Sequence, residues 1–238
     1  MNGATVRTGV EPGGLRGWAG LLAVALVLAG AGSGRGQWLP AGPKPAVPAR
    51  LNVYRAAPTL PADLRRVVLL PLHVELPDLG PEMQQGLLDA LQTELLRSGF
   101  AEVVLLPARR LQKLTGRPSW SPEQPLPPDF LQKVREASDA EAVLFAELTT
   151  FRPYTPAVVG WRLRLVDLRS GCTWWAADEV FDTADPVVIR AARRSTRTGW
   201  WNAGQEDACW RSLRAPRALA RLTVSWLLAT LPGRENSG

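Results

Sequence analysis

Two uninterrupted apolar runs constrain this chain most: Arg66-Val67-Val68-Leu69-Leu70-Pro71-Leu72 and Glu141-Ala142-Val143-Leu144-Phe145-Ala146-Glu147-Leu148. A strand with one wet face alternates apolar and polar residues, whereas a continuous run has to be covered on both faces. The sequence between the runs supplies the cover. Asp78-Leu79-Gly80-Pro81 turns the chain, with Pro81 suited to a first helical position. Met83, Leu87, Leu88, Leu91 and Leu95 then recur at helical steps to form one apolar face, and Gly99 is placed to end that helix with positive φ. Phe100 to Leu106 is the second strand. A short helical piece, Pro107 to Leu114, leads into a Pro-rich loop over 117–128. The next helix turns Phe130, Leu131, Val134 and Ala137 inward, and the run 141–148 becomes the centre of the sheet. Parallel connections of this kind are expected to be right-handed crossovers.

Beyond residue 150 the pattern changes to a meander. Trp161, Leu163 and Leu165 alternate with Arg162 and Arg164, the period of a strand with one wet face. Asp167-Leu168-Arg169-Ser170-Gly171 is a hairpin turn, and Cys172 to Phe181 returns with Trp174 and Trp175 expected on opposite faces. Asp185-Pro186 starts a helix through Arg194. The segment from about Gln205 to Leu231 reads as helix, interrupted at Pro216, with Leu219, Leu222, Trp226 and Leu227 on its apolar face. The expected fold is α/β in the α+β sense: a mixed five-stranded sheet in β-α-β-α-β-β-β-α order, with C-terminal helices covering it. One domain spans 66–231, and 232–238 is expected to be a disordered tail.

The N-terminus reads as an export signal. Arg7 and Arg16 precede the uncharged run Gly17 to Leu28, which is shorter than the roughly 20 residues of a spanning helix. Ala29-Gly30-Ala31 is a small-residue cleavage pattern, so 1–31 is the expected signal peptide. Retention of the signal as an anchor is the alternative. Leu28-Ala29-Gly30 matches the start of a lipidation motif, but Ala31 stands where the acylated Cys is required, so no lipid anchor is expected. Residues 32–65 contain Pro40, Pro43, Pro45, Pro48, Pro58 and Pro61; they are expected to be a Pro/Gly/Ala-rich linker without packed elements. The predicted location is therefore exported, periplasmic or envelope-associated.

Charge adds little. The net charge is +6, but only Lys44, Lys113 and Lys133 are lysines, a compositional bias rather than a phosphate-binding patch. Together with export, this argues against nucleic acid as a partner. Cys172 and Cys209 fit no zinc spacing and leave two alternatives, a disulfide or two thiols. His73 is the single histidine, and a nucleophile–base pair with Cys172 defines an enzyme alternative. No Gly-x-Ser-x-Gly elbow, His-Glu-x-x-His pair or phosphate-binding Gly-rich loop occurs, so the chain is read as non-enzymatic, without cofactor or metal site. Asp178, Glu179, Asp182 and Asp185 read as a solvated strand end, with Asp185 as a helix N-cap.

The candidate partner surface combines Arg162 and Arg164 with Arg190, Arg193, Arg194, Arg197, Trp200 and Trp201. The helical spacing of 190, 193, 194 and 197 puts these Arg on one face, and neighbouring exposed aromatics mark interfaces. Peripheral contact with a membrane and assembly with further copies of the chain are compatible with the same residues.

Three segments carry a family likeness: Val67 to Leu72, Ser138-Asp139-Ala140-Glu141 through Leu148, and Leu163-Arg164-Leu165-Val166-Asp167-Leu168-Arg169-Ser170-Gly171 followed by the strand with Trp174 and Trp175. Over about residues 64–200 the chain resembles the envelope α/β family of the curli-secretion channel protein, the lipoprotein activator of penicillin-binding proteins and the N-terminal domain of TolB. The lipidated Cys and the membrane-spanning insertions of the channel members are missing. The resemblance implies a non-enzymatic adaptor that docks on another envelope protein, in cell-wall synthesis or secretion. Some relatives of the fold assemble into rings.

Overall fold

The computed structural model describes residues 45–197, Cys209 and residues 213–234; residues 1–31, read above as a signal peptide, lie outside the described residues. Nine strands and five helices follow one another among them: β1 (Val53–Arg55), β2 (Thr59–Leu60), β3 (Arg66–Leu69), β4 (His73–Val74), α1 (Pro81–Ser98), β5 (Glu102–Leu105), α2 (Ala108–Thr115), α3 (Phe130–Ser138), β6 (Ala142–Arg152), β7 (Val158–Asp167), β8 (Thr173–Asp182), α4 (Pro186–Arg197), α5 (Pro216–Leu228) and β9 (Gly233–Arg234). The main sheet runs β1-β8-β7-β6-β3-β5, with β4 also on β6. Its β3, β4, β5 and β6 are parallel; β7, β8 and β1 are antiparallel.

The sheet thus has seven strands where the sequence reading gave five. One extra strand arises at Pro71, which has no N–H to donate and breaks the first apolar run. Val67–Leu69 oppose Ala142–Leu144, but His73 opposes Glu147, so the register has slipped by one residue between β3 and β4. The other extra strand, β1, comes from the segment read as a linker. Its edge position is what permits it, since prolines beside an edge strand sacrifice no ladder bonds. Leu60 and Leu64 are fully buried and Val47, Leu51 and Val53 pack on the core, so the packed unit begins well before residue 66. The expected disordered tail also begins as structure: β9 pairs with β2, and Arg234 donates to the Leu64 carbonyl at 2.6 Å.

Alternate residues serve two cores. Val67, Leu69, Ala142, Leu144, Trp161, Leu163, Leu165 and Trp175 face one side, where residues of α1, α4 and α5 cover them. Val68, Leu70, Val143 and Phe145 face the other, under Leu111 of α2, Phe130 and Val134 of α3, and Trp120 of the Pro-rich loop. Trp174 departs from its expected face. A register shift between Leu165 and Val166 opens the β7–β8 ladder beside it, and it packs half-buried on the first core with Trp175. Gly99, Gly116 and Gly171 take positive φ after α1, after α2 and in the β7–β8 turn.

Three fully buried tryptophans bind sheet to helices. Trp161 donates its indole N–H to Thr223 Oγ1 of α5 at 3.0 Å, Trp175 donates to Thr230 Oγ1 at 3.1 Å, and Trp226 of α5 donates to Ser195 Oγ of α4 at 3.1 Å. Removing such an acceptor strands a buried donor, which costs about 1–3 kcal/mol. Thr223→Val, which keeps the shape, should lose that much in urea unfolding, and Thr223→Ser should recover most of it.

Between α1 and α5, Glu94 is buried and accepts from Arg221 Nε at 2.9 Å. Burial holds the Glu94 carboxyl above its ordinary range despite Arg221. Its contribution to stability is therefore full in acid, below the unfolded-state value, and is lost as pH rises through the folded-state value. Arg221→Ala leaves the carboxylate uncompensated and should cost about 3 kcal/mol at neutral pH. The deficit should shrink as pH is lowered toward the carboxylate range, because protonation removes the buried charge; denaturant titrations at several pH values measure both effects.

Candidate functional site

The second core reaches Val166 at the end of β7; farther along the same side of β7 and β8, Arg162, Arg164, Ala176 and Asp178 are half-buried and Val180 is exposed, outside the helix-covered core among the described residues. Four residues lie directly opposite one another across four neighbouring strands on this side: His73 of β4, Glu147 of β6, Arg162 of β7 and Asp178 of β8. The period of two decides their orientation. Glu147 shares the parity of Val143 and Phe145, and Arg162 alternates with the buried Trp161 and Leu163. Such cross-strand neighbours interact directly.

Hydrogen bonds link Glu147, Arg162 and Asp178 in line, while His73 bonds to loop and flanking residues instead. Arg162 Nε donates to Asp178 Oδ2 at 2.8 Å and Arg162 Nη1 to Glu147 Oε2 at 3.3 Å. The Asp178 hydrogen bond, with the nearby carboxylates, holds the Arg162 guanidinium above its ordinary value. Glu147 is buried and also accepts from Ser121 Oγ at 2.7 Å. His73 Nδ1 faces Ser119 Oγ at 3.1 Å, and His73 Nε2 faces Glu75 Oε1 at 3.0 Å. Hydrogen bonding to His73 holds the exposed Glu75 carboxyl below its ordinary range, with help from Gln124, whose Nε2 donates to Glu75 at 3.2 Å. Arg164, one alternation along β7, donates to the Pro122 carbonyl at 2.9 Å and pairs with Glu123.

The expected partner surface is divided by this geometry. Arg162 and Arg164 lie on the bare side and are engaged by carboxylates. Helix α4 packs on the opposite side of the sheet through Val188, Ala191 and Ala192, so Arg190, Arg193 and Arg194 are exposed on a different surface. The Arg197 side chain, Trp200 and Trp201 lie outside the described residues. Among the acids, Asp178 pairs with Arg162, Glu179 accepts from the Asn52 amide at 2.8 Å, and Asp185 accepts from the Val187 amide at 2.7 Å as an N-cap.

Of the cysteine readings, the disulfide and the Cys172–His73 pair do not meet the geometry, and the reading of two thiols does. Cys172 is exposed in the β7–β8 turn, Cys209 is buried, and no disulfide joins them. The Cys172 carbonyl accepts from Asp167, which opposes Ala142, whereas His73 opposes Glu147. Five strand residues separate the two levels, roughly 16 Å, so Cys172 is not a partner for His73. The residues gathered around His73 are Ser119, Glu75 and Glu147 instead. A hydroxyl, imidazole and carboxylate meet there, but Nδ1 faces the hydroxyl, the reverse of a serine-hydrolase triad. Sequence reasoning missed this cluster because the loop and the β4 register form it. Its one legible signal is Glu147, a carboxylate inside an apolar strand.

No family model matches the chain, and no curated protein matches it. Solved structures are similar to it in part. Lipoprotein GNA1162 from Neisseria meningitidis is 21% identical, over 49% of this chain and 79% of that one, with a TM-score of 0.34. The PelC dodecamer from Paraburkholderia phytofirmans is 17% identical, over 77% and 99%, with a TM-score of 0.36. The LpoB C-terminal domain from Salmonella enterica is 12% identical, over 50% and 82%, with a TM-score of 0.32. Each of these likenesses is partial and of low identity. Among the described residues no helix is long and apolar enough to cross a membrane.

Arg162 compensates the buried Glu147, so Arg162→Ala should destabilise the chain by about 3 kcal/mol. Adding Glu147→Gln to that variant should return at least half of the loss; equilibrium unfolding of the two variants measures it.

Proposed function

We propose that this chain is an exported, non-enzymatic envelope protein that docks on a protein partner through the bare outer side of β7, β8 and β1. The observation that carries the reading is the surface beside the charged row. Tyr54 of β1 opposes Ala176 of β8, on the parity of Asp178 and Val180, and Tyr54 and Val180 are 57% and 50% exposed. An aromatic, an aliphatic and two arginines held in fixed geometry are the materials of an interface centre. Export rests on the basic N-terminus, the short apolar run and the Ala29-Gly30-Ala31 pattern. A role in cell-wall synthesis or secretion follows from the family resemblance alone.

A second reading is self-assembly. Among the described residues β5 is an edge of the sheet, and Leu105 in it is 48% exposed. Light scattering on the purified chain tests it, and a monomer at micromolar concentration rejects it.

Photo-crosslinkers placed at Tyr54 and at Val180 should capture one defined partner in intact cells, while a crosslinker at Arg190 on α4 should not. Tyr54→Ala combined with Val180→Asp should reduce co-purification of that partner at least tenfold. Equal capture from position 190 would place the interface on the helical side. Recovery of the chain from the soluble cytosol with Met1 intact would overturn export.

A further inference from the structure

We infer that His73, Glu75 and Glu147 form a binding site for one divalent transition-metal ion, zinc in the first instance. One ligand atom from each lies within 4.8 Å of the other two. Tetrahedral donors at 2.0–2.1 Å from zinc are about 3.4 Å apart. Closure therefore requires movement of about an ångström, and the exposed Glu75 on the β4 flank is the side chain with room to supply it. The inference does not depend on the docking reading.

Three features fit a cation. The first is the disposition of hydrogen bonds. Both bonds to Glu147, from Ser121 and Arg162, fall on Oε2, leaving Oε1 to a ligand, and both bonds to Glu75 fall on Oε1, leaving Oε2. The second is charge. Among the described residues, Glu75, Glu123, Glu147 and Asp178 are grouped with Arg162 and Arg164, an excess of two carboxylates over arginines that a divalent ion would balance. The third is an orphan acceptor. Gln124 Oε1 is buried without a hydrogen-bond partner, on the same amide whose nitrogen contacts Glu75. The amide cannot be turned over to relieve it, because Oε1 would then face a carboxylate. A buried oxygen with no donor, on a side chain that touches the site through Glu75, is an acceptor left unsatisfied at its margin.

The second shell is in place. Ser119 Oγ contacts His73 Nδ1 at 3.1 Å, and Ser121 Oγ contacts Glu147 at 2.7 Å. A hydroxyl both donates and accepts. Without the ion, Nε2–H donates to Glu75 and Nδ1 accepts from Ser119. With it, Nε2 gives its lone pair to the metal while Nδ1–H donates to Ser119. The imidazole changes tautomer, and its orientation is fixed in both states. Nitrogen with carboxylate oxygen suits zinc and its neighbours, whereas calcium and magnesium prefer all-oxygen shells.

The test is titration of the untagged, chelator-stripped chain with Co²⁺, followed by its visible absorption, then displacement by Zn²⁺. One ion per chain is expected. His73→Gln and Glu75→Gln should each abolish the signal, and Ser119→Ala should weaken binding roughly tenfold. Glu136→Gln on the far helix α3 should change nothing. Circular dichroism confirms that the variants fold, and Glu75 is exposed, so its variant keeps the test valid if His73→Gln does not. Failure of the parent chain to bind either ion, or binding that both ligand variants leave intact, overturns the inference. Displacement of Co²⁺ by equimolar Mg²⁺ would overturn the assignment to a transition metal.

Discussion

The fold depends on three indole N–H groups finding oxygen in a dry layer. Trp161 and Trp175 stand on neighbouring strands and reach across the first core to hydroxyls of α5 and its end, and Trp226 reaches from α5 to α4. Each ring removes a large apolar area from water, which is the main stabilising term. Each polar tip would be a penalty if it met no acceptor. The hydroxyls are placed by the helices themselves: Thr223 bonds back to the Leu219 carbonyl at 3.0 Å and Ser195 to Ala191 at 3.0 Å. Burial supplies the energy, and the three bonds select one rotation and height for α5 over the sheet. The one proton of the Ser195 hydroxyl is shared between the Ala191 carbonyl and the Ala46 carbonyl at 3.2 Å, which ties in the incoming chain.

That choice makes the two sides of the sheet unequal. With α1, α4 and α5 committed to one side, only α2, α3 and the loop bearing Trp120 remain for the other. The edge-to-face contact of Trp120 with Phe130 and the stacking of Phe130 on Phe145 seal the parallel half. The antiparallel half keeps a wet face, and the row from His73 to Asp178 lies where the cover stops. The row is therefore a product of the boundary: Glu147 is buried beneath the loop edge, Arg162 is half-buried, and Asp178 reaches solvent.

What the sequence made legible follows the range of each interaction. Helical spacing from Met83 to Leu95, the stop at Gly99 and the face from Leu219 to Leu227 are local, and the structure has them as read. The alternation of β7 and its turn at Gly171 are local too. β1 and β9 were not legible, because Val53–Arg55 and Gly233–Arg234 carry no strand pattern and pair only with distant partners. The opposition of His73 to Glu147 depends on one residue of slip at Pro71, which no spacing records. Grouping Arg162 with Arg193 failed for a related reason: proximity in chain order does not tell which side of a sheet a following helix takes.

Two buried carboxylates show how differently the two sides treat charge. Glu94, between α1 and α5, has Arg221 as its hydrogen-bonded cation, and burial still drives its carboxyl upward, so there the charge is a cost borne for helix registration. Glu147 shares its arginine with Asp178, takes a second bond from Ser121, and faces a histidine with another carboxylate behind it. A row whose only aim was to close the sheet would place an apolar residue at 147, since the loop already covers that point and well-packed apolar replacements of buried ion pairs are often neutral or stabilising. Its acceptors outnumber its donors, and the surplus faces the one part of the sheet that the helices leave open. Packing alone does not account for that arrangement; the cation proposed for His73, Glu75 and Glu147 would.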